Sequence, residues 1–439
     1  MHKKRISPLL IVVLSFLGVI VIGTVLLALP IAVKTGRLAF IDAIFLSFSS
    51  VCVTGLTPIA DLGATLSLFG KIVIAILIQV GGLGIVTIAI YVLVLLGIRI
   101  GVTERLVIKE ALNQNSIQGM VRLVQWIILT SLAFELFGTI LNMFVFSADY
   151  PFWEALGISV FHAVSSFNNA GFDIIGPNSF IAYADNFLFN LSTAILVIGG
   201  GIGFIVINDV VVKKRWKSLT NYTKIVLKVT AFLLVIGTVV IKAAEGAGIT
   251  WMQAFFQSFT ARTAGFYTAD LTRFAIPTIA FLIALMFIGA SPNSTGGGIK
   301  TTTAYTIIRS TIFFLQGRLP IIKKRKIDDE TRLKAFSLAF VSLCTLFLGF
   351  ILVATFETGT QRYVATTANL FFESVSAFGT VGLSLGITPF LAPASKIILV
   401  ILMFVGRLGP IAIFGIWNKN WGHPFASNID YAPVKIIIG

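Results

Sequence analysis

The sequence predicts an all-α polytopic membrane protein with four in-chain repeats around a central pore. Each repeat is predicted to contain a helix, a re-entrant pore loop and a second helix, which gives eight transmembrane helices and four re-entrant pore helices. Two observations predict this fold class: long apolar stretches without charge, and a short segment that occurs four times along the chain.

Long apolar stretches dominate the composition. Of the 439 residues, 57% are hydrophobic and only 12% are charged, which is about half the charged fraction of a soluble domain. Five stretches contain no Asp, Glu, Lys or Arg, namely 6–33, 72–98, 186–208, 274–299 and 335–356. Each can cross a hydrocarbon core, because a spanning helix needs about 20 apolar residues. The sequence therefore predicts a multi-pass protein of the cell membrane.

The basic residues predict its orientation. The formal net charge is +15, and most Lys and Arg residues fall between the apolar stretches rather than within them. Basic loops of this kind mark the cytoplasmic side, so both termini and these loops are predicted to be cytoplasmic. This distribution argues against a nucleic-acid partner and leaves the membrane lipids as the partner that the composition predicts.

A short segment recurs four times without gaps, at 45–56, 161–172, 255–266 and 372–383. In each, a Phe lies ten residues before a Gly, and a bulky apolar residue follows the Gly. In three of the four, a Ser lies six residues before the Gly (Ser49, Ser165 and Ser376). A second glycine motif follows each segment inside an apolar run, and we expect the motifs at 81–84 and 199–203 to serve helix packing.

The recurrence divides the chain into five predicted parts. Repeat 1 spans 1–97 with a cytoplasmic N-terminus, repeat 2 spans 98–210, repeat 3 spans 211–310 with a broken second helix, and repeat 4 spans 311–417. A cytoplasmic C-terminal tail covers 418–439. All four repeats have the same orientation, because each crosses the membrane an even number of times.

Four such segments around one axis predict a pathway for a monovalent cation. Non-helical backbone is tolerated at membrane depth only where protein buries it or where it lines a water-filled path. A ring of backbone carbonyls can replace the hydration shell of an ion, and glycine allows the backbone angles that such a ring needs. The C-terminal ends of the pore helices would favour a cation in the cavity, so no cluster of carboxylates is required.

These motifs carry a family resemblance that covers nearly the whole chain. It resembles the membrane subunits of the bacterial Ktr potassium uptake systems, in the Trk/Ktr/HKT superfamily. The most specific stretches are SFNNAGF at 166–172, RTAGF at 262–266, SAFGTVGL at 376–383 and FVGRLGP at 404–410. The selectivity-filter positions that the resemblance implies are Val53, Thr54, Gly55, Asn169, Ala170, Gly171, Thr263, Ala264, Gly265, Thr380, Val381 and Gly382. The related plant sodium transporters often have Ser in place of the first glycine, so Gly55 favours potassium.

The third repeat departs from the others. Pro292 and the three glycines at 296–298 cannot continue a helix, so its second helix should break and line the cavity. The resemblance implies that this segment is an intramembrane gate loop below the filter. Its gate residues are Gly289, Ser291, Gly296, Gly297, Gly298 and Lys300. A phosphate-binding loop is not predicted here, because Ile299 separates Gly298 from Lys300 and no strand precedes the segment.

Four charged residues in or beside apolar segments stand out. An Arg inside a membrane helix is costly and faces a cavity or a partner, and the resemblance places Arg407 in the pore, as an electrostatic barrier to cations. The alternative is that Arg407 pairs with a carboxylate such as Glu135, for which we favour a structural role. Arg262 and Glu373 are expected to brace the pore helices from behind.

The resemblance alone implies a homodimer, sodium-stimulated transport and a separate cytosolic nucleotide-binding ring. The chain itself has no nucleotide motif, so ATP or ADP would act only through that partner. The expected ligands are potassium at the filter carbonyls and sodium as a second ion, with no cofactor and no catalytic residue. An intramembrane enzyme would need a paired carboxylate, Ser/His or metal motif, and none is visible. A secondary transporter working by alternating access would show inverted repeats and broken helices, whereas only one helix looks clearly broken here.

Overall fold

The computed structural model describes residues 8–98, 100–112, 118–322, 325–358 and 366–410. The predicted cytoplasmic N-terminus and the tail at 418–439 lie outside these residues. Helices are almost the only regular secondary structure in the described chain. Its strands form one short antiparallel hairpin, in which β1 (Ile321–Ile322) pairs with β2 (Arg325–Lys326).

The first two predicted repeats have the same order of elements: a long helix, a short helix and a divided second helix. The first contains α1 (Pro8–Ala28), α2 (Phe40–Val51), α3 (Leu62–Thr65), α4 (Leu68–Leu83) and α5 (Ile85–Leu95). The second contains α6 (Val102–Ala111), α7 (Met120–Phe146), α8 (Phe152–Phe167), α9 (Phe187–Ile202) and α10 (Phe204–Lys213).

The third and fourth predicted repeats begin in the same way, with a long helix and a short helix. The third contains α11 (Asn221–Glu245), α12 (Trp251–Thr260), α13 (Ile276–Phe287) and α14 (Thr301–Leu315). The fourth contains α15 (Asp329–Glu357), α16 (Thr367–Gly379) and α17 (Pro393–Leu408). The segment between α13 and α14 is not helical, as predicted from its proline and glycines.

The long helices are built to cross a membrane. By length and composition, 4 helices in the described residues qualify, namely α1, α7, α11 and α15. Their outer faces carry exposed apolar side chains such as Ile22, Phe232 and Leu348, which suits a lipid environment. Counting each bent helix pair as one span gives up to 6, so the total of eight stays a prediction.

The second helices of the first two repeats are sharply bent. The bend is 95° between α4 and α5 and 100° between α9 and α10. Gly84 has a φ of 86° and Gly203 a φ of 94°, which stops the preceding helix because this backbone region is open mainly to glycine. The expectation that only the third repeat has a clearly broken second helix is therefore wrong.

Candidate ion-conduction site

The four predicted filter segments meet in a closed ring, which we call the glycine ring (Gly55, Gly171, Gly265 and Gly382). Each glycine faces the backbone carbonyl of the next segment in chain order, and the last faces the first. The distance from an added Cβ to that oxygen is 2.5 Å from Gly55 to Ala170, 2.9 Å from Gly171 to Ala264, 2.5 Å from Gly265 to Val381 and 2.2 Å from Gly382 to Thr54. No Cβ fits at these distances, so only glycine lets the four backbones approach so closely.

Each segment of the ring contains two residues in the left-handed backbone region. The glycines have φ values of 93°, 71°, 83° and 93° in chain order. Two residues before each glycine stand Val53, Asn169, Thr263 and Thr380, with φ values of 57°, 57°, 83° and 50°. Residues with a Cβ adopt this region at a cost and do so mainly at functional sites. This repeated geometry ends each short helix and turns the following backbone into the ring.

The serine hydroxyls fasten the ring to the short helices. Ser49 Oγ donates to Leu56 O at 2.7 Å and accepts from Gly55 N at 3.1 Å. In the other two segments, Ser165 Oγ donates to the carbonyl one residue beyond its glycine at 2.7 Å, and Ser376 Oγ accepts from its glycine N–H at 3.1 Å. In three of the four segments, the serine six residues before the glycine therefore fixes the orientation of the ring backbone.

In the third segment, the hydroxyl that anchors the ring lies one residue nearer to its glycine than in the other segments. Thr260 Oγ1 donates to Phe266 O at 2.7 Å, so Thr260 performs the role of the serines from five residues before Gly265. Phe256 is fully buried in the place of the other recurring Phe residues, whereas Phe255 is 37% exposed. The gapless alignment of this segment is therefore wrong by one residue within the helix, although its ring residues are correctly matched.

The second glycine motifs allow the second helices to pass over the ends of the short helices. A Cβ on Gly81 would lie 1.9 Å from Val51 O, and on Gly200 it would lie 1.8 Å from Phe167 O. In the fourth segment, a Cβ on Gly406 would lie 1.8 Å from the carbonyl oxygen of Phe378. Each of these carbonyls belongs to the residue four before a ring glycine. The expected packing role is supported by this contact.

The loop between α13 and α14 lies directly against the ring. A Cβ on Gly296 would lie 2.1 Å from Thr263 Oγ1, and a Cβ on Gly297 would lie 2.2 Å from Thr380 Oγ1. Within the loop, a parallel bridge joins Ile288 to Ile299. The loop therefore packs against Thr263 and Thr380, the first residues of two ring segments. Its glycines allow this close approach because they have no side chain.

Several hydrogen bonds hold this loop in place. Ser291 N donates to Gly201 O at 3.0 Å, and Thr295 Oγ1 donates to Phe167 O at 3.1 Å. Within the loop, Lys300 Nζ donates to Gly296 O at 2.6 Å, and the hydroxyls of Ser291 and Thr301 are 3.0 Å apart. The predicted gate residues thus lie together, attached to α9 and to the end of α8. Two further glycines shape the loop. Gly289 lies against the Gly297 carbonyl, and Gly298 has a φ of 69°.

Arg407 joins three parts of the protein. Its guanidinium donates to the carbonyl oxygen of Thr295 in the loop and to those of Gly81 and Gly82 at the end of α4, the last at 3.1 Å. Arg407 therefore connects the fourth segment to the loop of the third and to the bent helix of the first. It does not pair with Glu135, so the pairing alternative is wrong for this structure.

Glu135 is held by a buried polar network of its own. Its Oε1 accepts from Ser131 Oγ at 2.5 Å, from Gln79 Nε2 at 2.8 Å and from Asn168 Nδ2 at 3.3 Å. Asn168 Nδ2 also donates to Gln79 Oε1 at 2.7 Å. Because three donors converge on one carboxyl oxygen, their hydrogen bonds offset part of the cost of burying this group. It ties α4, α7 and the end of α8 together behind the second ring segment.

The two charged residues expected to brace the pore helices, Glu373 and Arg262, have different surroundings. Glu373 is fully buried, and its Oε1 accepts from Ser384 Oγ at 3.2 Å and from Thr388 Oγ1, which fits the expected brace. Arg262 is 7% exposed, and its Nε has no hydrogen-bond partner, so its role as a brace stays a prediction.

Sequence reasoning missed a partly buried ion pair. Lys396 Nζ lies 2.8 Å from Asp42 Oδ1 and connects α17 to the first short helix, α2. A lysine inside an otherwise apolar helix was the available signal, since such residues have partners.

The long apolar helices and the glycine ring are features of a membrane transport protein. A family model described as TrkH, a cation transport protein, matches residues 6–245 and 219–416. The chain therefore belongs to this family, and the resemblance to the Trk/Ktr proteins is confirmed.

Curated relatives match over nearly the full chain. The Ktr system potassium uptake protein B of Bacillus subtilis (strain 168) is 38% identical over 99% of this chain and 97% of its own. The protein of the same name from Vibrio alginolyticus is 36% identical, over 92% and 90%. The potassium/sodium uptake protein NtpJ of Enterococcus hirae is 34% identical, over 100% and 98%.

A solved structure has the same fold. The potassium transporter TrkH from Vibrio parahaemolyticus matches with a TM-score of 0.74 and 18% identity, covering 96% of this chain and 86% of that one. At that identity the match shows the fold alone.

Proposed function

We propose that this protein takes up potassium ions across a bacterial cell membrane through a channel-like pathway. The observation that carries the proposal is the closed glycine ring, in which four segments place their backbones against one another in cyclic order. Such a ring of carbonyls can replace the water around a dehydrated monovalent cation. The three curated relatives are all named for potassium uptake, and one of them also for sodium.

The selectivity filter in this proposal consists of the four ring segments, 53–55, 169–171, 263–265 and 380–382. The loop at 288–300 is the gate, because it packs against Thr263 and Thr380 and would have to move for an ion to pass. Arg407 is the barrier, because its charge lies beside that loop and its hydrogen bonds to Thr295, Gly81 and Gly82 hold the loop closed. Selectivity thus belongs to all four segments, and control of flow to the third and fourth.

The complete transport system would contain more than this chain. The relatives named as proteins of a Ktr system support a partner subunit. We propose a membrane homodimer, a cytosolic nucleotide-binding ring that confers regulation by ATP or ADP, and stimulation by sodium. Both termini would then face the cytoplasm, where such a ring could reach the basic loops.

Alternating access remains the second candidate, because the bends at Gly84 and Gly203 remove one argument against it. Transport assays separate the two. In a channel-like pathway, ions move down their gradient in either direction, and the passage of each ion needs no conformational cycle. Alternating access needs one conformational cycle for each transport event.

Potassium uptake by a transport-deficient bacterium tests the proposal. Wild type should restore growth at low potassium, and Gly171→Ser should reduce both affinity and selectivity, because a Cβ there would lie 2.9 Å from Ala264 O. Unchanged affinity and selectivity in Gly171→Ser at equal membrane abundance would exclude the filter assignment. Gly157→Ala is the matched control, since Gly157 lies in α8 with nothing within 4 Å of an added Cβ.

A further inference from the structure

One contact between neighbouring segments of the glycine ring has no chain connection to support it. The first three repeats each continue directly into the next, whereas the fourth meets the first across the length of the chain. Here Gly382 lies against Thr54, and we call this contact the closing step. It is the tightest contact in the ring, because an added Cβ would lie 2.2 Å from the facing carbonyl oxygen, against 2.5 to 2.9 Å at the other three steps. The closing step therefore depends on non-covalent contacts alone.

Two helices meet at the closing step. α17 packs along α2, and Lys396 Nζ at the beginning of α17 lies 2.8 Å from Asp42 Oδ1 in the first turn of α2. These residues are 354 positions apart in the chain, and their side chains are 8% and 22% exposed. Further along the helices, the rings of Phe404 and Phe48 pack edge to face with their centroids 6.0 Å apart. Apolar packing has no preferred direction, so the charge-assisted hydrogen bond of the ion pair is the contact with a defined length and direction.

Both helices lead into the closing step. α2 ends at Val51, and its chain continues into Thr54 and the first ring segment. In the fourth repeat, α17 lies on the end of α16, where an added Cβ on Gly406 would lie 1.8 Å from Phe378 O. α16 in turn continues into Gly382. The distance between α17 and α2 therefore sets how closely Gly382 approaches Thr54.

The corresponding positions of the other repeats show that this pair belongs to a pattern. Each second helix packs against the short helix of the next repeat. The fourth residue of the second helix and the third residue of the next short helix are, in ring order, Lys71 and Glu154, Asn190 and Gln253, Ile279 and Asn369, and Lys396 and Asp42. Opposite charges thus coincide at the first step, where Glu154 acts electrostatically on Lys71, and at the closing step. Of these two steps, only the closing step has no chain connection to hold its repeats together.

We propose that the ion pair of Lys396 and Asp42 positions the closing step of the filter and thereby sets its potassium affinity and its preference for potassium over sodium. The inference rests on the proposed function of the glycine ring. Both are positioning residues, because they act through α17 and α2 and do not touch the ion. Without the pair, Thr54 O can move away from the ring, and a displaced carbonyl replaces the hydration shell of an ion less well.

The thermal stability of the purified full chain tests the proposal, since an ion that binds only the folded protein raises its melting temperature. Titrations with potassium and with sodium, in a background of choline chloride, give both affinities. Asp42→Asn combined with Lys396→Met removes both charges and leaves neither unpaired, so the melting temperature without potassium should stay close to that of wild type. The potassium affinity should fall by about threefold or more, and the preference for potassium over sodium should fall with it. Lys396→Arg keeps the pair and should keep the wild-type values.

Lys71→Met is the matched control. Lys71 occupies the same helix position at the first step, where the chain joins the two repeats, so this variant should keep wild-type affinity and preference. Wild-type values in the double variant would overturn the proposal, and so would an equal loss in Lys71→Met. If the double variant does not fold, Asp42→Asn alone decides, because its amide oxygen can still accept from Lys396; wild-type affinity in that variant would also overturn the proposal. A wild-type protein whose melting temperature does not respond to potassium would instead contradict the proposed function of the ring, and this inference would fall with it.

Discussion

Replacing Gly382 by Ala places a methyl group inside the glycine ring. The new Cβ would lie 2.2 Å from Thr54 O and 3.1 Å from the Gly55 Cα. Since ordinary contacts begin at about 3.4 Å, the Thr54 carbonyl must move by roughly 1 Å. Because the ring is proposed to coordinate potassium through these carbonyls, the substitution acts on the ion site itself.

Two effects of this substitution can be separated. The φ of Gly382 is 93°, and holding an alanine in this region costs about 1–2 kcal/mol, which lowers stability. The displacement of Thr54 O instead weakens ion coordination, and a misplacement of about 1 Å can cost on the order of 100-fold. We therefore expect at least about a tenfold loss of apparent potassium affinity, equivalent to about 1.4 kcal/mol.

Potassium uptake as a function of concentration measures this loss, with Gly386→Ala as the matched control. Gly386 lies in the same loop with a φ of 82°, but nothing lies within 4 Å of an added Cβ. Gly386→Ala should share the loss of stability, measured as the melting temperature in detergent, and keep wild-type affinity. If Gly382→Ala kept wild-type affinity and selectivity, the ring carbonyls would not determine these properties. An equal loss of affinity in Gly386→Ala would lead to the same conclusion.

Three further substitutions test other parts of the structure. Arg407→Ala removes the barrier and releases the loop, so the maximal uptake rate should rise by about tenfold for each 1.4 kcal/mol of barrier lost; an unchanged rate in proteoliposomes contradicts the barrier role. Glu135→Leu leaves the buried Ser131 hydroxyl without its acceptor, at about 1–3 kcal/mol, whereas Gln79 and Asn168 keep other acceptors. The melting temperature should therefore fall further than in Glu135→Gln, and equal melting temperatures would show that the network does not stabilise the fold. Thr260→Ala should cost about 1 kcal/mol through the lost bond to Phe266 O, whereas Thr260→Ser keeps the hydroxyl and should lose less; equal losses in the two variants would show that this hydroxyl does not anchor the third segment.

The membrane fold and the ring residues could be predicted because both leave a local signal. Uncharged apolar stretches long enough to cross a bilayer are found mainly in transmembrane helices. The ring glycines recur at a fixed distance from a Phe, and the close approaches at Gly55 and Gly382 show why no other residue can stand there.

The offset in the third repeat gave no such signal. Phe255 and Phe256 are adjacent, so either can be placed against the recurring Phe of the other segments. Only the burial of Phe256 and the hydrogen bond of Thr260 separate the two alignments.

The helix bends were missed for a different reason. Glycines at 81–84 and 199–203 fit close packing as well as a break, and Gly81 and Gly200 do serve packing. The break depends on the positive φ of Gly84 and Gly203, which the residue type permits but does not require.

The partners of Arg407 and Glu135 could not be read from residue types. Arg407 donates to backbone carbonyls, which every residue has. Glu135 is held by Gln79 and Asn168, and these two amides are separated by 89 positions in the chain. Both charges could be recognised as costly within the membrane, but their compensation depends on how the repeats meet.

Anomalous diffraction from thallium or rubidium ions tests the proposed ion site without relying on transport. In crystals of the wild-type protein grown with either ion in place of potassium, a peak is expected on the axis of the glycine ring, coordinated by the carbonyls of Thr54, Ala170, Ala264 and Val381. Gly382→Ala should reduce that peak, and Gly386→Ala should not. An ordered wild-type ring without a peak on its axis, or with ions bound only elsewhere in the protein, would rule out the ring as the selectivity filter.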